Sequence, residues 1–197
     1  MNRYIEKQVR FFEEIDEQIA STMDPRHQAI LRTYMWHAAF ELCGEVDSLF
    51  APDMMVDNPV YKILGLGTDT LQVHRGKESV RKRFYENLNE AIVLAYDETR
   101  AVADWGLAFF CTVGTVVTAQ QLAATGHAVD DPTATYLIEH FCGERWPFDD
   151  RARLVGEEVY QIGDPVISKL APEDVFTVEE RNAAVRRFLP TASALSS

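Results

Sequence analysis

Thr133-Ala134-Thr135-Tyr136-Leu137-Ile138-Glu139-His140-Phe141-Cys142-Gly143-Glu144-Arg145-Trp146, then Pro147-Phe148-Asp149-Asp150, then Arg151-Ala152-Arg153-Leu154-Val155-Gly156-Glu157-Glu158-Val159-Tyr160-Gln161-Ile162, is the stretch that decides the fold. Two runs rich in β-branched and aromatic residues flank a short polar turn, which reads as a hairpin of long strands. Residues 91–103 and 107–118 have the same character, so four strands in succession predict a strongly bent antiparallel sheet. Upstream the apolar period changes. Ile5, Val9, Phe12, Ile15 and Ile19 recur at spacings of three and four, which predicts a helix over residues 4–20. Asp24-Pro25 reads as an N-cap followed by proline at the first helical position, opening a second helix through Ile30, Leu31, Tyr34, Ala38 and Leu42 that stops at Gly44. Helices first and strands afterwards make the chain α+β.

Smaller features fill the intervals. Val46 to Asp53 is a helical turn broken by Pro52, and residues 54–61 have room for one short strand that Pro59 confines to an edge or an end. Residues 64–70 form a glycine-rich loop without the strand-loop-helix spacing of a phosphate cradle. Gly76 opens a third helix to Asn89, with Val80, Phe84, Tyr85 and Leu88 inward and the basic residues between them solvated. The bent sheet is expected to wrap around this helix. Residues 119–132 read as a long polar connector, a flap at a mouth. Thr177-Val178-Glu179-Glu180 is a capping box for a last helix that ends before Pro190.

The charge balance narrows the function. With 31 acidic and 19 basic side chains the net charge is −12, which disfavours nucleic acid and anionic membranes as partners. No apolar run approaches the roughly 20 residues that span a bilayer, and the first residues lack the apolar stretch of a secretory signal. Cys43, Cys111 and Cys142 are odd in number and widely spaced. They read as small buried residues in a reducing cytoplasm, where the protein is expected to reside. No His/Asp/Glu spacing resembles a metal site, and no cofactor motif is present.

Four stretches in order carry a family resemblance: Leu31-Arg32-Thr33-Tyr34, Leu49-Phe50-Ala51-Pro52-Asp53, Val73-His74-Arg75-Gly76-Lys77-Glu78-Ser79-Val80, and Pro147-Phe148-Asp149-Asp150 followed by Leu154-Val155-Gly156-Glu157. On these the chain resembles the SnoaL-like polyketide cyclases of the nuclear transport factor 2-like (NTF2-like) superfamily. The resemblance spans about residues 25–163. It leaves an N-terminal helix in residues 1–24 and a C-terminal helix with a flexible tail in residues 164–197. It implies a cystatin-like cone, with a curved antiparallel sheet wrapped around helices and a mostly apolar cavity inside. It also implies a homodimer through the outer sheet face, in keeping with the apolar residues on both faces of strands such as residues 107–117. The superfamily holds cyclases, isomerases, epoxide hydrolases and dehydratases beside members that only bind or assemble, and fold alone does not choose among them.

Such a cavity makes a few polar groups potent, because desolvation shifts their pKa. General acid/base chemistry on a hydrophobic, ring-bearing molecule needs one carboxyl or imidazole to move a proton and a donor to hold the developing oxyanion. Asp57, in Met55-Val56-Asp57-Asn58-Pro59, and Glu157, between Val155 and Val159, are the candidate bases. Asp57 stands near where epoxide-hydrolase relatives carry a polar group before a proline, and Glu157 matches the family's Gly-Glu pair. Tyr34, on the helix where SnoaL-like dehydratases carry a Tyr, and His140 are the candidates to polarise or reprotonate. Alternation sends Glu139 and His140 to opposite faces, and Glu157 and Glu158 likewise, so only one of each pair sees the cavity. Trp36, His37, Tyr61, Trp105 and Tyr136 are the candidate substrate contacts. The alternative is a non-catalytic ligand-binding or dimerisation module, whose cavity would be filled or purely apolar.

Overall fold

A computed structural model of the chain describes residues 2–85 and 92–191. The Asn2 side chain accepts hydrogen bonds from the backbone N–H groups of Tyr4 and Ile5, and α1 runs from there over Arg3–Ser21. Asp24 accepts likewise from Arg26 and His27 to open α2, Pro25–Cys43, and Gly44 closes it at φ 71°, a left-handed conformation that glycine adopts without a Cβ clash. The second helix starts and stops where its capping residues predict.

A short α3 (Val46–Leu49) leads to β1 (Val60–Leu64) and β2 (Gln72–Arg75). Next come α4 (Lys77–Val80) and a π-helical turn over Arg81–Tyr85. The long strands are β3 (Ile92–Ala103), β4 (Gly106–Thr118) and β5 (Thr135–Pro147), with α5 (Ala119–Ala124) between the last two. Strands β6 (Glu158–Gln161) and β7 (Val166–Lys169) and helix α6 (Val178–Val185) finish the chain. One curved sheet has the order β2-β1-β6-β5-β4-β3, with β7 also on β5. Every pairing among the strands after residue 91 is antiparallel; β1 joins β6 in parallel. None of the described helices is long and apolar enough to cross a membrane.

Four local expectations change. The third helix is one α turn and one π turn through Tyr85; Leu88 and Asn89 lie outside the described residues. The sheet packs on α1 and α2 as well: their Phe12, Ile15, Ile30 and Leu31 share a buried cluster with Phe109 and Trp146, to which Val80 and Tyr85 of the third helix also belong. Residues 119–132 are not a bare flap, because Thr118 and Gln121 form a capping box that starts α5. Residues 151–162 yield only the four-residue β6. At Gly156 the chain passes so close to β1 that a Cβ there would lie 1.9 Å from the carbonyl oxygen of Val60. Met55 makes only an isolated bridge to Leu154, and β1 begins after Pro59, as a residue without an N–H dictates. A bulge between Tyr96 and Thr99, with Asp97 at φ 52°, resets the facing of β3 midway. Beyond β3, the Gln8 side-chain oxygen accepts the Ala95 N–H at 2.8 Å, so α1 covers the edge of the sheet.

Candidate active site

A cavity of about 350 Å³ lies between α2 and the sheet. Phe11, Leu42, Ile63, Val113 and Val159 give it an apolar lining, and Tyr34, Glu41, Tyr85, Glu98, His140, Glu144 and Glu157 reach it with polar atoms. It is neither filled nor purely apolar.

One polar group centres on His37, which is fully buried on α2. Its Nε2 lies 3.2 Å from Glu157 Oε1, 3.2 Å from the Tyr85 hydroxyl and 3.9 Å from Glu41 Oε2. The Tyr85 hydroxyl is in turn 3.4 Å from Glu157 Oε1 and 3.1 Å from the Tyr61 hydroxyl. His37 Nδ1 is buried with no hydrogen-bond partner among the described residues. A buried N–H without an acceptor is the costlier fault, so the imidazole proton belongs on Nε2, donating to Glu157. Burial dominates the titration here. It pushes Glu157 up to about 8 against the hydrogen bonds of Tyr61 and Tyr85, raises Glu41 to about 7, and lowers His37 to about 4. At neutral pH His37 is therefore uncharged, and Glu157 is mostly protonated.

A second group stands beyond Trp146, whose ring meets His37 edge-on at 5.0 Å and Tyr34 at 5.1 Å. There the Tyr34 hydroxyl donates to Glu98, and Glu98 pairs with the buried Arg100, whose Nη1 also donates to Gln18 at 3.2 Å. Burial raises Glu98, and the guanidinium and the phenol pull it back. Glu144 accepts the Trp146 indole N–H at 2.9 Å, and burial raises it to about 8. His140 Nδ1 lies 2.9 Å from Gln161 Oε1, which already accepts the Leu66 N–H at 2.8 Å, while Gln161 Nε2 donates to the Gly163 carbonyl. The amide is thereby oriented, His140 donates from Nδ1, and its Nε2 keeps a lone pair.

The structure brings Tyr34, His37, Tyr61, His140 and Glu157 to or directly behind the cavity. Asp57 is a correction: its side chain is 87% exposed and lies 3.6 Å from Lys77 Nζ, on the polar turn before Pro59. A carboxylate in bulk solvent has no desolvation to raise it and no reach to the cavity. Tyr136 is a second correction. The strand twists, so Tyr136 packs with Ala119, Leu122 and Ile138 in a separate cluster and its hydroxyl binds Asp130. Trp105 is exposed in a turn under the Arg145 guanidinium, and Trp36 is half-buried against the core without lining the cavity. Glu139 faces away and accepts from Tyr96 at 2.6 Å, and Glu158 pairs with Lys62 and Arg145.

Four cavity residues escape the sequence reading. Glu41 is one helical turn from His37 and Glu144 alternates with His140, so spacing alone flags both. Tyr85 reads only as an inward residue, and Glu98 lies in the bulge, which no pattern announces. Asp24, His27 and Asp104 form an exposed group of possible metal ligands outside the cavity lining, but Asp24 is engaged as the cap of α2.

No protein-family model and no curated protein matches the chain. Solved structures do. The epoxide hydrolase/cyclase-like enzyme SalBIII, of pyran ring formation in polyether salinomycin, aligns at 15% identity and TM-score 0.44, over 71% of this chain and 95% of its own. A phenazine biosynthesis-related protein of Pseudomonas aeruginosa aligns at 13% identity and TM-score 0.38, over 71% and 98%. Overlaps of this size describe shape and leave the chemistry to the side chains.

Proposed function

We propose that the protein is a cofactor-independent enzyme that moves a proton on a small, hydrophobic, ring-bearing molecule, as in a cyclisation, isomerisation or dehydration. The observation that carries this reading is a carboxyl, Glu157, lining the cavity beside a neutral imidazole with no cation against it. A pKa of about 8 leaves both its forms populated near neutrality, which suits a group that gives and takes a proton. His37 positions it, and the Tyr85 hydroxyl, which donates to Glu157 at 3.4 Å, would turn its proton to a developing oxyanion. Asp57 has no part in this version.

The test does not need the natural substrate. Bicyclic ketones incubated with the protein in deuterated buffer exchange the hydrogens next to the carbonyl if a base abstracts them. The wild type should accelerate exchange for at least one ketone, and Glu157→Gln should reduce it about a hundredfold, the scale of a positioned acid/base. Saturable ketone binding with exchange at the buffer rate favours the non-catalytic ligand-binding reading instead.

We also propose that the protein is a homodimer formed through the outer face of the sheet. Phe110 and Phe141 stack there at 5.9 Å, and Tyr160 and Ile162 are exposed beside them. A second copy laying the same stripe across this one would cover all four side chains. Sedimentation should give twice the chain mass, and Phe110→Ser should shift it toward the monomer. A wild-type monomer at micromolar concentration contradicts this.

A further inference from the structure

We propose that the cavity takes an uncharged or positively charged ring compound, an alcohol or an amine, and turns away carboxylates and phosphates. The inference rests on the same cavity as the proton-transfer reading but not on any reaction occurring there.

Four carboxyl groups from separate parts of the chain reach one cavity: Glu41 on α2, Glu98 on β3, Glu144 on β5 and Glu157 just before β6. No lysine or arginine lines it among the described residues. The two buried guanidiniums nearby are engaged behind the lining. Arg100 pairs with Glu98, and Arg181 of α6 donates to the carbonyls of Leu42 and Val93 at 2.6 and 2.9 Å. An anionic ligand would therefore lose its hydration with no cation facing it, and any carboxyl ionised in that poorly screened interior would repel it.

Glu41 gives the preference a second footing. Its carboxyl lines the cavity, yet none of the described residues hydrogen-bonds to it; the nearest polar partner is His37 Nε2 at 3.9 Å. Its side chain is 30% exposed, so its oxygens are open to the cavity, and a ligand hydroxyl or ammonium supplies them with a donor. Glu157, His37 and Arg181 are the charged or titratable groups that act on it, the first raising its pKa and the other two lowering it. Glu98, Glu157 and Glu41 all raise Glu144. With Glu157 and Glu144 protonated at neutrality and Glu41 about half so, the empty cavity is close to neutral and suits an alcohol. An ammonium drives one carboxyl to ionise and releases its proton, so amine affinity should rise with pH up to about 8.

Three probes on one skeleton test this: 2-naphthylmethanol, 2-naphthylmethylamine and 2-naphthoate, titrated by their own fluorescence. At pH 7.5 the alcohol and the amine should bind saturably, and the naphthoate at least tenfold more weakly. From pH 6 to pH 8 the amine should gain several-fold while the alcohol stays within twofold. Glu41→Gln should cost the amine about tenfold and leave the alcohol within twofold; Glu144→Gln is the substitute should that variant not fold. Naphthoate binding as well as the amine, a pH-independent amine, or no saturable binding of any probe would overturn the proposal. Selective binding without ketone exchange would leave the ligand class standing and remove the catalytic reading, and exchange with indifferent binding would do the reverse.

Discussion

Glu98 and Glu157 are both buried glutamates in the same cavity, with side chains 1% and 9% exposed, and their neighbours give them opposite characters. Glu98 has a guanidinium against it and a phenol donating to it, so its charge is compensated and tied into the fold. Glu157 has a neutral imidazole and two tyrosines, none of them a cation. Burial raises both; only at Glu157 does nothing cationic oppose it. A buried carboxyl with a paired cation holds structure together, whereas one without it holds a proton. The contrast separates a structural acid from a chemical one at nearly equal burial.

The largest effect that tests this contrast is on stability. Glu98→Gln leaves Arg100 buried without its counter-charge and should cost about 3–5 kcal/mol. Glu157→Gln exchanges one neutral group for another and should stay within about 1 kcal/mol at pH 7. Denaturant unfolding of the two variants measures both, and equal losses would break the distinction.

A smaller effect appears in the pH dependence. Because the folded pKa of Glu157 lies above its unfolded value, the stability it contributes is complete below about pH 4.3 and is lost as pH rises through about 8. His37, lowered to about 4 when folded, works the other way but only between about pH 4 and 6.5. From pH 6.5 to 8 the carboxyls act alone, so stability should fall with rising pH, by at most about 1.4 kcal/mol per unit for each group. Glu157→Gln should flatten this slope. Stability that rises across that window would contradict the account.

Much of the fold was legible because it rests on local chemistry. Asp24 and Pro25 open α2, Gly44 closes it, Thr177 and Glu180 start α6, and the four β-rich runs pair in sequence order. What failed depends on contacts distant in sequence. The strand expected over residues 151–162 is shortened where Gly156 meets Val60. The π turn over Arg81–Tyr85 has no sequence signature, and the bulge at Asp97 turns Glu98 inward against simple alternation. The site divides the same way. Glu157 and His140 stand in apolar runs whose period marks them as face residues, and the sheet supplies the missing choice of face. Asp57 carried the same apolar flanks, but a polar turn before a proline puts its side chain in water. Apolar neighbours in sequence are a poor guide to burial where the chain is not in a regular element.

Glu157 itself decides the central claim. In protein with ¹³C-labelled glutamate, its side-chain carboxyl carbon is identified as the resonance lost in Glu157→Gln, and its shift is followed from pH 4 to 9 together with the His37 ring. Glu157 should titrate at about 8, and His37 should stay neutral down to about pH 4. A Glu157 that titrates near the ordinary 4.5, beside a His37 still protonated at neutrality, would make the two a plain ion pair and contradict the claim.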